Sequence, residues 1–136
     1  MARASRAGQS FFERPDVRRI RRYSLAEEAL NLIEAEDARR PSIDNLASRL
    51  GISSRLLEYV FNAWCGVAPS QYILAARLTR VRRALNTSEP ERTVTQVASA
   101  AEFHHFGRFS SQYRRFCGET PSMTLRRARR RCADAA

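Results

Sequence analysis

The feature that most constrains the fold of this chain is a pattern of apolar residues, cysteine, glycine and proline that occurs twice, 52 residues apart. The two copies read Phe61-x3-Cys65-Gly66-x2-Pro69-Ser70 and Tyr113-x3-Cys117-Gly118-x2-Pro121-Ser122. A shorter element upstream, Leu46-Ala47-Ser48, returns as Val97-Ala98-Ser99 at an offset of 51. The chain is therefore predicted to contain two copies of one small helical unit, and the change of offset predicts one additional residue in the turn of the second copy.

Apolar residues at helical spacing predict that each unit consists of a short helix, a turn and a second, amphipathic helix. In the first unit, Gly51 is predicted to end the short helix, and the second helix covers about residues 54 to 65. In the second unit, a capping box at Thr93 and Gln96 opens the short helix, and the second helix covers about residues 105 to 117. The residues expected to be buried on these two second helices are Leu57, Val60, Phe61 and Trp64, and Phe109, Tyr113 and Phe116.

These elements predict an all-α protein of about seven helices, in which two helix-turn-helix subdomains are joined by one long linker helix. A capping box at Ser24 and Glu27 is predicted to start the first helix, and Pro69 is suited to the first turn of the linker helix. The predicted organisation is a basic flexible arm (1–22), a first subdomain (23–68), the linker helix (69–86), a second subdomain (87–128) and a basic tail (129–136).

Charge indicates the class of partner. The 136 residues are 43% hydrophobic, enough for one domain or two small ones, and the net charge is +10, with arginine supplying all 24 basic residues. Seven arginines lie in residues 1–22 and five in residues 126–131. So basic a chain favours an anionic partner, most commonly nucleic acid. Two matched helical units in such a chain predict two reading heads on one double-stranded DNA.

The sequence argues against a metal site, a disulfide framework and a membrane span. Three cysteines without a C-x-x-C pair indicate neither a zinc site nor a disulfide framework, and the adjacent His104 and His105 point about 100° apart on a helix, so no metal and no cofactor are expected. No apolar run approaches the roughly 20 residues of a membrane span, and the N-terminus lacks the apolar stretch of a signal peptide. We therefore expect a cytoplasmic protein with no membrane partner.

Over about residues 24–128, the chain resembles the DNA-binding domain of AraC/XylS-type transcription regulators. The motifs that carry the resemblance are Leu46-Ala47-x3-Gly51-Ile52-Ser53, Phe61-x4-Gly66-x2-Pro69-x2-Tyr72, Arg77-Leu78-x5-Ala84-Leu85 and Phe109-x3-Tyr113-Arg114-Arg115-x2-Gly118-x2-Pro121-Ser122. The segment His105-Phe106-Gly107-Arg108-Phe109-Ser110 is similar to a subgroup of these regulators. The resemblance implies a seven-helix domain that binds promoter DNA and contacts RNA polymerase.

The resemblance also implies which side chains meet DNA. The base-facing residues are expected to be Arg55, Glu58, Tyr59, Gly107, Arg108 and Ser111. The residues expected to meet the DNA backbone are Ser54, Asn62, His105, Arg114 and Arg115. Arginine commonly reads guanine and glutamate can accept from cytosine, although Glu58 could instead form a surface salt bridge with Arg55 or Arg49. Phe106 is expected to join the core, His105 could instead cap its helix, and the arginines at 126–131 either meet phosphates or remain solvated.

The chain departs from the family pattern in two ways. Glu102 stands where the second turn usually has glycine, and a left-handed backbone at a residue other than glycine costs about 1 kcal/mol. The additional residue in that turn could relax this requirement. Only the 22 arm residues precede the unit, where the family normally has an effector-sensing domain, so a stand-alone reader and a fragment of a longer regulator both remain open. Without a separate dimerisation segment, a monomer is expected.

The sequence thus predicts a non-enzymatic, sequence-specific DNA-binding regulator. An enzyme such as a DNA-repair methyltransferase would need a reactive cysteine with an activating base, whereas Cys65 and Cys117 are expected on the core side of helix ends. Two non-enzymatic functions compete with the reader: a truncated regulator that acts through protein partners, and a basic protein that coats nucleic acid without reading it. Salt dependence separates a coating protein from a reader, because only the reader keeps its preference for one sequence.

Overall fold

The computed structural model describes residues 17–35, 41–87 and 91–135, which form α-helices and contain no strand. The helices are α1 (Val17–Ala35), α2 (Ile43–Leu50), α3 (Ser54–Cys65), α4 (Pro69–Asn86), α5 (Val94–Ala100), α6 (Phe106–Cys117) and α7 (Pro121–Asp134). The predicted all-α class with seven helices is confirmed.

The helices pack around two hydrophobic cores. Helices α1 to α3 form the first head, whose buried residues include Ala29, Ile33, Leu46, Ala47, Leu57 and Phe61. Helices α5 to α7 form the second head, whose buried residues include Val97, Ala98, Phe103, Phe109, Tyr113 and Leu125. Helix α4 belongs to both cores, because Ile73 is buried in the first and Leu78, Val81 and Leu85 are buried in the second.

The repeated glycines end the amphipathic helix of each head in the same way. Gly66 and Gly118 adopt left-handed φ angles of 70° and 77°. Their N–H groups donate to the carbonyl oxygens of Asn62 at 3.1 Å and Arg114 at 2.9 Å. A buried proline then occupies the first turn of the following helix, α4 or α7. The repeat in the sequence therefore specifies the same helix boundary twice: a glycine that tolerates positive φ ends one helix, and a proline suited to a first turn begins the next.

The turn between α2 and α3 depends on glycine. Gly51 has a φ of 67° and closes α2. Its N–H donates to the carbonyl oxygen of Ser48 at 3.1 Å, and the N–H of Ile52 donates to that of Ala47 at 3.0 Å. A left-handed residue of this kind lets the chain satisfy the last helical carbonyls and turn sharply.

The turn between α5 and α6 has the same geometry although glutamate replaces glycine. Glu102 has a φ of 61°. Its N–H donates to the carbonyl oxygen of Ser99 at 3.0 Å, and the N–H of Phe103 donates to that of Ala98 at 3.0 Å. These bonds match those of the first turn at an offset of 51, so the additional residue, His104, comes after the left-handed position. The expectation that this residue relaxes the turn is therefore wrong.

The predicted boundary between the arm and the first helix is also wrong. Helix α1 begins at Val17, so Ser24 lies inside the helix and residues 17–22 are helical rather than part of a flexible arm. Residues 1–16 of the predicted arm lie outside the described residues.

Contacts with α3 explain why the helix extends upstream. The ring of Tyr23 meets that of Trp64 edge to face with 5.2 Å between centroids. The guanidinium carbon of Arg19 lies 5.9 Å from the Trp64 ring centroid, and that of Arg22 lies 5.3 Å from the Tyr59 ring centroid. Trp64 is 39% exposed, so it covers the side of the first head instead of joining its core as predicted.

Phe116, which its spacing assigns to the second core, is 48% exposed. The core-facing residues of α6 are Phe109 and Tyr113, and the half-buried Cys117 packs against the same core. These three positions follow one another at intervals of four residues, and Phe116 lies to one side of the face that they define.

We predict that Glu102→Gly raises the free energy of unfolding by about 0.5–1 kcal/mol, because glycine adopts a positive φ without steric cost. Thermal unfolding followed by circular dichroism should show a higher melting temperature, by about 2–5 °C for a chain of this size. Glu102→Ala is the matched control, since it removes the same side chain but keeps the conformational cost. A glycine variant that melts at or below the temperature of the alanine variant would contradict the prediction.

We predict that a chain starting at residue 23 is less stable than a chain starting at residue 17, by about 1–2 kcal/mol. The shorter chain loses two cation–π contacts, each of which contributes about 0.5–1 kcal/mol. Thermal unfolding of the two shortened chains measures the difference. As a matched pair of point variants, Arg22→Ala should lower the melting temperature more than Arg21→Ala. Equal melting temperatures in both comparisons would show that the first turns of α1 do not support α3.

Candidate nucleic-acid interface

Helices α3 and α6, the two reading helices, bury one face and expose the other. Leu57, Val60 and Phe61 are buried on α3, and Phe109 and Tyr113 are buried on α6. The six residues predicted to face bases are all exposed, namely Arg55, Glu58, Tyr59, Gly107, Arg108 and Ser111. The fold thus leaves these side chains accessible on the two helices, and their contact with DNA stays a prediction.

The start of α3 is fixed by two side-chain hydrogen bonds. The hydroxyl oxygen of Ser53 accepts from the N–H of Leu56 at 3.1 Å and caps the helix. The hydroxyl of Ser54 donates to a carboxylate oxygen of Asp44 at 2.5 Å, which ties α3 to the first turn of α2. Because the hydroxyl proton of Ser54 already binds Asp44, a contact between Ser54 and a phosphate would use the backbone N–H of Ser54.

Two polar residues of α3 also have partners within the first head. The side-chain amide of Asn62 donates to the backbone carbonyl of Glu58 at 2.9 Å. Tyr59 is 56% exposed, and one face of its ring is approached by Arg22 of α1. In the part of the chain that the structure describes, Glu58 forms no ion pair with Arg55, so this form of the alternative to a base contact is not observed. The carboxylate of Glu58 therefore remains on the exposed face of α3.

The start of α6 differs from that of α3. His105 occupies the N-cap position with a φ of −113°, but its side chain makes no capping hydrogen bond, so the predicted cap by His105 is not formed. The exposed imidazole is left beside the first turn of the helix. Gly107 follows, and a Cβ built on it would meet no atom within 4 Å. Its lack of a side chain is therefore not required by packing inside the protein.

Phe106 corrects the prediction that it joins the second core. It is the first residue of α6 and is 40% exposed. The helical period assigns Phe106 to the face of Phe109 but does not report how far along the axis the core extends. Sequence reasoning therefore missed an exposed aromatic residue directly before Gly107. Its place at the start of a reading helix was the signal that could have identified it.

The two reading helices carry different charges. Helix α6 has three exposed arginines, Arg108, Arg114 and Arg115, and no acidic residue. Helix α3 has one arginine and one glutamate. Near a polyanion the second reading helix is therefore attracted more strongly than the first.

The arginines of α7 are divided between internal and exposed roles. Arg127 pairs with Glu119 at 2.6 Å. Arg129 donates to the carbonyl oxygen of Arg92 at 3.2 Å, and Arg131 donates to the side-chain oxygen of Asn86 at 2.9 Å. The predicted basic tail is thus helical as far as Asp134, and part of its charge joins α7 to the end of α4 and to the segment before α5.

The two repeated cysteines lie in environments that favour the neutral thiol. Burial raises the pKa of Cys65, and burial is also the main cause of the raised pKa of Cys117. Both groups therefore stay protonated at neutral pH, whereas a nucleophilic cysteine needs a lowered pKa. Burial also raises the pKa of Tyr113 to about 12, and its hydroxyl lies 2.9 Å from that of Thr124.

Within residues 17–35, 41–87 and 91–135, no group of three histidine, cysteine or acidic residues could hold a metal ion. Among the same residues, no helix combines the length and apolar character that a membrane span requires.

A sequence model described as a helix-turn-helix domain matches residues 46–127, which include part of α2, all of α3 to α6 and part of α7. The chain belongs to the AraC/XylS-type helix-turn-helix family. This family is not an enzyme family.

Several curated relatives are regulators of transcription. A XylDLEGF operon transcriptional activator of Pseudomonas putida is 35% identical over 108 residues, which are 79% of this chain and 34% of that protein. The HTH-type transcriptional regulator ArgR of Pseudomonas aeruginosa is 34% identical over 94 residues, which are 69% of this chain and 28% of that protein. The chain thus spans about a third of the length of these two relatives.

Solved structures share the fold. A probable AraC family transcriptional regulator from Rhodopseudomonas palustris aligns with a TM-score of 0.73 and 33% identity, over 78% of this chain and 98% of that one. The DNA-binding domain of the global transcriptional factor AdpA, solved in complex with a target DNA, aligns with a TM-score of 0.66 and 27% identity. That alignment covers 79% of this chain and 94% of the AdpA domain.

Proposed function

We propose that this protein is a sequence-specific DNA-binding regulator of transcription that inserts α3 and α6 into successive major grooves of promoter DNA. The observation that carries the proposal is the pair of amphipathic reading helices, each with a buried apolar face and an exposed polar face. Helix α4 contributes buried residues to the cores of both heads and so connects them. Relatives named as transcriptional regulators and a structural neighbour solved with its target DNA support it.

The geometry of B-DNA accounts for the two heads. The major groove admits an α-helix, and residues near the N-terminus of that helix reach base edges. Successive major grooves on one side of the duplex lie about 34 Å apart, or about 10 bp. Since a single chain has both reading helices, a monomer can occupy two half-sites.

Base recognition in this proposal differs between the heads. On α6, Arg108 donates to a guanine, and the missing side chain of Gly107 allows close approach of the helix to the groove. Exposed Phe106 can contact the methyl group of a thymine. On α3, Arg55 donates to a base while the carboxylate of Glu58 repels phosphates and accepts from a cytosine, so Glu58 contributes selectivity rather than affinity.

Contacts with the DNA backbone would position the protein without specifying a sequence. Arg114 and Arg115 supply charge on α6, and His105 lies at the helix start. On α3, the backbone N–H of Ser54 and the remaining amide proton of Asn62 are the available donors. As a regulator of transcription, the protein is proposed to act in the cytoplasm and to contact RNA polymerase.

Selection of bound sequences from random DNA tests the proposed function. The expected result is a site with two half-sites about 10 bp apart, bound at least ~10³-fold more tightly than unrelated DNA at physiological salt. Repeating the measurement at several salt concentrations separates the ionic part of the affinity from base recognition. Equal binding to all sequences at every salt concentration would contradict the proposal and favour a protein that coats nucleic acid.

We predict that Arg108→Ala lowers affinity for the preferred site by about 1–3 kcal/mol and relaxes the preference at one or two base pairs, because a bidentate contact to guanine is lost. Electrophoretic mobility shifts on the preferred site and on all single-base variants measure both effects. Arg115→Ala is the matched control and should weaken binding to every sequence by a similar factor. The same uniform loss for Arg108→Ala would place Arg108 on a phosphate.

A further inference from the structure

Two arginines of helix α4 form hydrogen bonds with the backbone of the two heads, one arginine with each head. Arg80 donates through Nη2 to the carbonyl oxygens of Ile33 at 2.9 Å and Glu34 at 3.0 Å. These carbonyls belong to the last turn of α1. The guanidinium of Arg80 therefore reaches two backbone carbonyl oxygens in the last described turn of α1.

Arg77 makes the equivalent contact with the second head. Its Nη2 donates to the carbonyl oxygens of Ala101 at 3.0 Å and Glu102 at 2.9 Å. Its guanidinium carbon also lies 4.1 Å from the centroid of the Phe103 ring. Arg77 thus contacts three successive residues of the turn between α5 and α6, including the left-handed residue.

Each contact continues toward a reading helix. Phe103 packs against Phe109 of α6 with 4.8 Å between ring centroids, so the side chain of Phe103 connects Arg77 to the second reading helix. On the other side, α1 packs along α3, and the edge-to-face pair of Tyr23 and Trp64 is one part of that interface. Arg80 therefore acts on the first reading helix through the body of α1.

The two arginines lie three residues apart, which is about 4.5 Å along the axis of α4. The two guanidinium contacts, one to each head, therefore leave α4 from the same turn. Hydrophobic burial is not directional, whereas a planar guanidinium that donates to two carbonyl oxygens fixes both distance and angle. These hydrogen bonds add directional restraints to the apolar packing and oppose rotation of a head about α4.

We propose that Arg77 and Arg80 are positioning residues that set the separation and angle of α3 and α6, and thereby the half-site spacing that the protein accepts. This inference rests on the proposed function, because half-site spacing matters only if α3 and α6 both contact DNA. It predicts that losing either contact changes the tolerance for spacing more than the affinity for one half-site.

The experiment measures affinity for a series of DNA duplexes in which the segment between the half-sites is shortened or lengthened by one or two base pairs. Each added base pair moves the second half-site by about 3.4 Å and rotates it by about 34–36° around the duplex. The unaltered protein should lose about tenfold or more in affinity per step away from the preferred spacing. Arg77→Met and Arg80→Met should flatten this dependence to about threefold or less, and both should bind a single half-site as the unaltered protein does.

Controls separate positioning from charge and from stability. Arg82→Met removes one exposed arginine of the same helix and should keep the steep dependence on spacing. Arg77→Lys and Arg80→Lys retain charge and chain length but lack the planar fork, and they replace any methionine variant that does not fold. All affinities are measured well below the melting temperature of each variant, because a purely structural residue would then leave the spacing profile unchanged.

The outcomes distinguish the two proposals. If the unaltered protein shows no preference for paired half-sites, the proposed function fails. If it shows a steep preference for spacing and the folded Arg77 and Arg80 variants show the same one, the function stands and the positioning role is wrong. A flattened profile in these variants, with an unchanged profile for Arg82→Met, supports the positioning role.

Discussion

Burial of α4 in two separate cores couples the heads of this protein. Ile73 belongs to the core of the first head, while Leu78, Val81 and Leu85 belong to that of the second. Complete burial of such a side chain contributes about 1.5–3 kcal/mol. Separating the second head from α4 would expose three of these side chains to water, and separating the first head would expose Ile73. Burial therefore keeps both heads on α4, and the contacts of Arg77 and Arg80 are proposed to set the angle between them.

The two heads are alike in backbone and different in surface chemistry. The first has a glycine in its turn, a serine cap on its reading helix and nearly balanced charge on that helix. The second has a left-handed glutamate, no side-chain cap and three arginines on its reading helix. In the proposed function, the second head supplies most of the attraction to phosphates, and Glu58 makes the first head discriminate against poorly matched sites. The two heads thus combine similar backbones with different surface charges, and in the proposed function each contributes a different part of the binding free energy.

The helix ends could be predicted from sequence because they depend on local chemistry. Glycine at positive φ and proline in a first turn specify where α3, α4, α6 and α7 start or stop, and the capping box at Thr93 and Gln96 is formed as expected. The predicted start of the first helix failed because Ser24 satisfies a local pattern, whereas contacts with the distant Trp64 favour a longer helix. The prediction that Phe106 is buried failed for a related reason, since helical periodicity specifies which face of a helix is buried but not where along the helix the core ends.

The candidate site was predictable only in part. Exposure of the six base-facing residues follows from helix phase, which the sequence encodes. The engagement of Ser54 with Asp44 and the approach of Arg22 to Tyr59 depend on how helices cross, and no local pattern reports that. The roles of Arg77 and Arg80 are hidden for the same reason, because nothing in the sequence around them identifies the carbonyl groups that they reach.

The single residue His104 has a consequence for engineering. The left-handed residues of the two turns correspond at an offset of 51, and the helix caps Ser53 and His105 correspond at 52. Buried Leu57 and Phe61 of α3 correspond to buried Phe109 and Tyr113 of α6 at 52, so the loop accommodates the inserted residue and the rotational phase of α6 is preserved. Exposed side chains can therefore be transplanted between α3 and α6 at that offset, with the buried residues left unchanged. The exposed faces of the two reading helices are therefore suited to independent redesign on one fixed set of buried residues.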